Sequence, residues 1–302
     1  MLVDDDWIDI FERYSVAVGV SIDGSREFHD EMRPDKRGRG SYDDAVAGLR
    51  KLQSAVRAGK LRSAGVLAVV PDGPSGKAVL DHLITELAVS SPGLNFPRGG
   101  WDCSDTSSWN ANGEQRRSLV RAWLAEHTYP NFHYIRDLGD LLFGMMSSSG
   151  AERLDLRNSK RHHVLTISSR GDLLVDDNLL GQVPAPASPL SVVNNTFLEF
   201  LRSSEWQSLE EAMNFVAPKC ADCVWQRPCH GGALYNRHSG DNYLNHSAIC
   251  DVLQIFNEEV AQYLVDRNIV SAESLVERLS SPPIHTAASV YNEMVRAARS
   301  DR

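Results

Sequence analysis

The sequence predicts an α/β fold: a parallel sheet of βα units, followed by a small α+β domain organised by cysteines. Two observations carry this prediction. Between residues 15 and 97, apolar runs of strand length alternate with segments of helical period, as βα units require. After about residue 150 the alternation gives way to a hairpin signal, a proline-rich stretch and four of the chain's five cysteines. The expected division is 1–150 for the βα part, 151–265 for the cysteine domain and 266–302 for closing helices.

In order, residues 4–13 read as a helix with Trp7, Ile8, Ile10 and Phe11 on its apolar side. Ser15 to Ser21 reads as a buried, valine-rich strand closed by Gly24. The polar segment 26–41 reads as a loop. A helix is expected over 42–58, where Ala45, Leu49, Leu52 and Val56 recur at helical spacing and Ser41 stands at the N-cap. A second strand is expected at 63–70, a helix at 75–90 and a third strand at 93–97. Helices follow at 114–126 and 136–148, with Met145 and Met146 read as core. HVLTIS and DLLVDD flank Arg170-Gly171-Asp172 as a hairpin. One or two helices are expected over 195–215, one over 251–266, and two short ones over 271–302, split by Pro282-Pro283.

Composition narrows the function. The net charge of −9 argues against a nucleic-acid surface or an anionic membrane as partner. No apolar run approaches the length of a spanning helix. The acidic start, MLVDDDWIDIF, is unlike a secretory signal, and an odd, clustered cysteine set suits a reducing cytoplasm.

Cys220, Cys223, Cys229 and Cys250 are spaced C-x2-C-x5-C-x20-C. An x2 turn brings two sulfurs together and a loop returns the others, so four thiolates can converge on one soft metal centre. An iron–sulfur cluster, a structural zinc or two disulfides each satisfy the spacing. Four unrelated core cysteines do not account for it, since only Cys103 lies elsewhere. His230, Gly231 and Gly232 follow Cys229; the glycines let backbone approach a bulky centre, and Trp225 and Pro228 supply an apolar shell. With four thiolates available, His230 is read as neighbouring the centre rather than ligating it, and His238 and His246 as surface residues.

This segment resembles the SPASM domain that follows the barrel in many radical S-adenosylmethionine (SAM) enzymes, where the pattern is C-x2-C-x5-C-x3-C, a gap and a final Cys. The resemblance implies that Cys220, Cys223, Cys229 and Cys250 bind the outer auxiliary [4Fe–4S] cluster. Ala233 stands at the x3 position, which in the family belongs to an inner cluster. The remaining inner ligands lie at a G-x4-C step, where Gly171 leads to Asp176. One auxiliary cluster is therefore expected, with zinc as the alternative metal.

Two further segments resemble the second half of a radical SAM barrel: SIDGSREFHDEMR (21–33) after its fourth strand, and RGRGSYDDAVAGLRKL at the next helix. The fold implied is a partial (βα) barrel of strands 4 to 6. The resemblance places Ser21 and Asp23 at the edge facing SAM or substrate, and Ser41 close to SAM. Asp23-Gly24 is equally a common turn. His29, Asp30 and Arg33 are read as a local network organising the loop. Trp101 and Trp109 lie where the family covers the barrel mouth; substrate contact and core cover are both open to them.

The C-x3-C-x2-C loop that holds the SAM-cleaving cluster occurs nowhere in the sequence. The chain is expected not to cleave SAM alone, and to bind it only when completed by an amino-terminal part. Two functions follow: the carboxy-terminal portion of a peptide-modifying maturase, or a non-catalytic module that binds a peptide or completes a partner enzyme. The strand at Val16–Val20 is expected to present an unpaired edge to a complementary fragment.

Overall fold

The computed structural model describes residues 3–70, 76–95, 99–103, 113–126, 134–182, 189–240 and 242–300, so Trp109 lies outside the described residues. The chain forms two compact units, residues 1–97 with 112–139, and residues 98–111 with 140–302.

The first unit is built on a parallel sheet in the order β1-β2-β3. Its strands are β1 (Val18–Ser21), β2 (Ala64–Val69) and β3 (Pro92–Asn95). Val18 lies opposite Ala64, and Val66 opposite Pro92. Among the described residues β1 and β3 are the outer strands. Helix α1 (Asp5–Arg13) begins at Asp4, whose side chain accepts from the Trp7 N–H. The first strand starts later than expected, because Ser15 turns into the left-handed region (φ 51°) to close α1.

The segment expected as a loop holds a helix, α2 (Arg26–Met32). It has no apolar stripe; His29 is its buried residue, which is why periodicity missed it. Helix α3 (Tyr42–Arg57) buries Leu49, Leu52 and Ala55. Ser41 occupies its N-cap position without capping it. Asp30 does so instead, its Oδ1 accepting from the Tyr42 N–H at 2.8 Å. Helix α4 (Gly76–Leu80) widens into a π-helical turn over Asp81–Glu86. It packs on α5 (Gly113–Glu126), whose Leu119, Val120 and Trp123 are buried.

Helix α6 (Arg136–Met146) leads into the second unit and buries Met145; α7 (Ser148–Lys160) follows, unforeseen in the sequence. The antiparallel hairpin pairs β4 (Thr166–Ile167) with β5 (Leu173–Leu174) around Gly171 at φ +85°. Leu173, Val175, Phe200, Trp206, Leu209 and Leu234 form the core of this unit. Helices α8 (Phe197–Leu201) and α9 (Ser204–Asn214) supply Phe200 and Trp206, whose rings meet edge to face at 5.4 Å. The cysteine segment contains α10 (Pro218–Ala221), α11 (Gln226–Cys229) and the start of α12 (Cys250–Asp266). Of the closing helices α13 (Ala272–Ser280) and α14 (Ala287–Ser300), the last packs on α9 and α8 and brings Tyr291, Met294 and Val295 to the core.

Candidate metal centre

The cysteines sit in or beside helix termini. Cys220 lies in α10, whose first residue is Pro218. The Cys223 N–H donates to the Cys220 carbonyl at 3.2 Å, closing the x2 turn. Cys229 ends α11, and Cys250 opens α12, where the helix N-terminus favours a thiolate. All four thiols are free and line one cavity, walled by Trp225 and Leu253. The disulfide alternative is thus not what the chain adopts. Cys103 stands apart with its N–H on the Gly100 carbonyl.

The turn after Cys229 depends on backbone that side chains resist. His230, Gly231 and Gly232 have φ of 54°, 74° and 81°. A Cβ on Gly232 would lie 2.8 Å from the Ser247 Cβ and 3.2 Å from Leu253 Cδ1, so glycine lets this loop close against α12. Burial pushes the Cys229 thiol up to about 12, and the adjacent Cys250 adds to it. Burial also raises Cys220 and Cys250, with neighbouring cysteines as further causes. The protonated form is thereby favoured at Cys220, Cys229 and Cys250, and binding to a soft metal is the kind of interaction that favours a thiolate instead. The donor set therefore fits a thiolate-bound centre. Among the described residues, no group of three His, Cys, Asp or Glu side chains closes on a single ion.

A polar helix face positions this loop. On α7, Asp155 forms a buried ion pair with Arg227 at 2.8 Å, and its Oδ2 also accepts from the Ile284 N–H. Asn158 donates to the Pro228 carbonyl at 3.1 Å, and Ser159 to that of His285 at 2.9 Å. Arg227 and Pro228 immediately precede Cys229, so α7 fixes the backbone that leads into it.

Residues 99–103 are clamped to the same loop. Trp101 donates from Nε1 to the His246 carbonyl and from its backbone to that of His238, and its ring meets His246 edge-on at 4.8 Å. A Cβ on Gly100 would reach within 2.1 Å of the His238 carbonyl oxygen. His238 and His246, expected at the surface, are instead half-buried anchors of this contact.

The positions assigned by resemblance to an inner cluster hold a hydrogen-bonded pair. Asp176 is buried; its Oδ2 lies 2.8 Å from His162 Nδ1, and its Oδ1 accepts from the Asn178 N–H. His162 Nε2 accepts from the Leu234 N–H, next to Ala233. The proton thus sits on Nδ1, and the pair ties the hairpin to the cysteine segment. Burial lowers the His162 pKa, outweighing the Asp176 hydrogen bond.

In the first unit, Ser21 is exposed at the end of β1. Asp23 is buried; Arg33 Nε donates to its Oδ2 at 2.5 Å and the Val69 N–H to its Oδ1 at 2.8 Å. The carboxylate thereby adds a rung beyond the ends of β1 and β2. His29 Nδ1 accepts from the Asp23 N–H, leaving the proton on Nε2, which lies 3.1 Å from Ser41 Oγ. Ser41 in turn donates to the Arg33 carbonyl. The expected network exists, but its links run through Asp23 and Ser41, while Asp30 serves α3. Arg227, Asp155 and His162 were missed as organising residues, since each is defined by a partner tens of residues away.

The fold is that of solved structures of anSMEcpe. With anSMEcpe bound to AdoMet and a Cp18Cys peptide it shares a TM-score of 0.67 at 19% identity, over 89% of this chain and 74% of that one. The same protein with AdoMet alone gives 0.68 at 18% identity. In sequence, the chain is 32% identical over 276 residues to the cysteine-type anaerobic sulfatase-maturating enzyme of Clostridium novyi, covering 85% of this chain and 68% of that protein. The chain belongs to the family of anaerobic sulfatase-maturating enzymes, which are radical SAM proteins. A 52-residue stretch is 42% identical to the serine-type enzyme of Bacteroides thetaiotaomicron. An uncharacterized protein of Synechocystis is 24% identical over 247 residues, and the chain spans 60% of its length. No family model matches. No helix among the described residues is long and apolar enough to cross a membrane.

Proposed function

We propose that this chain is a SPASM-type iron–sulfur protein of peptide maturation, in which Cys220, Cys223, Cys229 and Cys250 hold one auxiliary [4Fe–4S] cluster. The observation that carries this reading is four free thiols lining one cavity. A zinc tetrahedron needs its sulfurs gathered at about 2.3 Å from one point. A cube takes one thiolate on each of four irons, so a wider ring of sulfurs suits it. The hydrogen-bonded Asp176 and the apolar Ala233 favour one cluster rather than two.

A bound cluster would supply electron transfer or substrate anchorage. The chain's own residues shape and dry its pocket, with α7 and the Gly231–Gly232 turn holding the thiols in register. The substrate class is a peptide, by kinship with maturases and with a neighbour whose structure contains one. Ser21, Asp23 and Ser41 are the proposed SAM-side residues, acting with a complementary amino-terminal part. The sequence contains no C-x3-C-x2-C triplet, so no SAM-cleaving step is assigned to these residues.

Anaerobic reconstitution with iron and sulfide tests the assignment. A brown protein with about four irons per chain, lost on Cys229→Ala, is expected. A colourless protein that takes up one zinc per chain instead would overturn it.

A further inference from the structure

Arg237 is 2% exposed, inside the loop that carries the cysteines. Its Nε donates to the Asn245 carbonyl at 2.8 Å and its Nη2 to that of Phe215 at 3.2 Å. Both acceptors are neutral, and no carboxylate among the described residues lies within ion-pair distance of it. By contrast, the other buried arginine of this loop, Arg227, is paired with Asp155. The third nitrogen, Nη1, points toward the turn after Cys229: a Cβ placed on Gly231 would lie 3.7 Å from it. Arg237 and Cys220 also line one recess of about 130 Å³ beside the cysteine cavity.

A guanidinium taken out of water without an anion is strongly unfavourable, and it does not escape by losing its proton. Burial pulls the Arg237 pKa down, and Cys220 and Cys229 push it back up. A centre bound by four thiolates brings the missing negative charge to that place.

We propose that Arg237 is the built-in counter-cation of the cysteine-bound centre, stabilising the anionic cluster and more strongly its one-electron-reduced form. This rests on the cluster reading above. The fixed charge holds the midpoint potential higher than four thiolates alone would set it, because the reduced state carries one more negative charge beside the same cation.

The test compares wild type, Arg237→Lys and Arg237→Gln, each reconstituted anaerobically and titrated with dithionite against redox mediators while the cluster is followed by absorbance and EPR. Circular dichroism checks the fold. Arg237→Gln is expected to show a more negative midpoint potential, with Arg237→Lys closer to wild type. Should Arg237→Gln fold and lose iron while Arg237→Lys retains it, the charge requirement is supported as well. Equal potentials in wild type and Arg237→Gln overturn the inference while leaving the cluster standing. Equal loss of iron from both variants overturns it too, since the guanidinium fork and not its charge would then be what matters. A wild type that takes up no iron sinks the cluster reading itself, and this inference with it.

Discussion

Buried neutral histidines make both units acid-sensitive. Burial lowers the pKa of His29 and of His162 from 6.5. A lowered histidine pKa means that the unfolded chain takes up the proton first. Its stabilising contribution is whole above about 6.5 and is lost as the pH falls below it. Urea unfolding at pH 7.5 and 5.5 should show a lower midpoint in acid, and His162→Gln should reduce that difference. The Asp155–Arg227 pair is sharper still. Removing one partner strands a buried charge, so Asp155→Ala is expected to cost about 3–5 kcal/mol in the same assay. Changing both residues to apolar ones of similar size should cost far less, which distinguishes a stranded charge from lost packing.

At the scale of elements, α3 and residues 99–103 show how segments are held from outside themselves. The first N–H of α3 is satisfied by Asp30 of α2, so Asp30→Ala should destabilise by about 1 kcal/mol in thermal or urea melts. Gly100→Ala would drive a methyl group into the His238 carbonyl, and the segment must lift off the cysteine loop. Faster amide exchange at Trp101, with a red-shifted tryptophan emission, is the expected outcome. Helix α7 explains why one element was illegible. Its buried positions beyond Gly150, namely Ala151, Leu154, Asp155, Asn158 and Ser159, keep helical spacing. Three of the five are polar, because they grip Arg227, Pro228's carbonyl and His285's carbonyl. A search for apolar period sees only half of that face. The apolar helices α3 and α12 were read to within a residue or two for the converse reason.

For the molecule as a whole, iron loading and folding should be linked. Burial raises the Cys220, Cys229 and Cys250 thiols, so assembling a thiolate-bound cluster there should release protons and weaken as the pH falls. Ligand bound only by the folded state adds stability by mass action. Hydrogen exchange of the loaded protein should slow across 218–266, with the sheet of the first unit unchanged. Removing iron with a chelator should reverse that protection. Uniform slowing of both units would contradict a centre confined to the second.

By itself, the sequence determined the three strands of the parallel sheet, the apolar helices, the hairpin at Gly171 and the candidate ligands, because local period, turn chemistry and cysteine spacing are written in neighbouring residues. It also carried the family resemblance, in Ser21–Arg33 and Cys220–Cys250. Only the tertiary structure decided that Asp30 caps α3, that Asp155 and Asn158 aim the third cysteine, and that Arg237 is buried without a carboxylate. Those are relations between residues 12 to 72 apart in the chain or defined by burial. No local pattern encodes them, because the energy of a buried charge depends on what folding brings beside it.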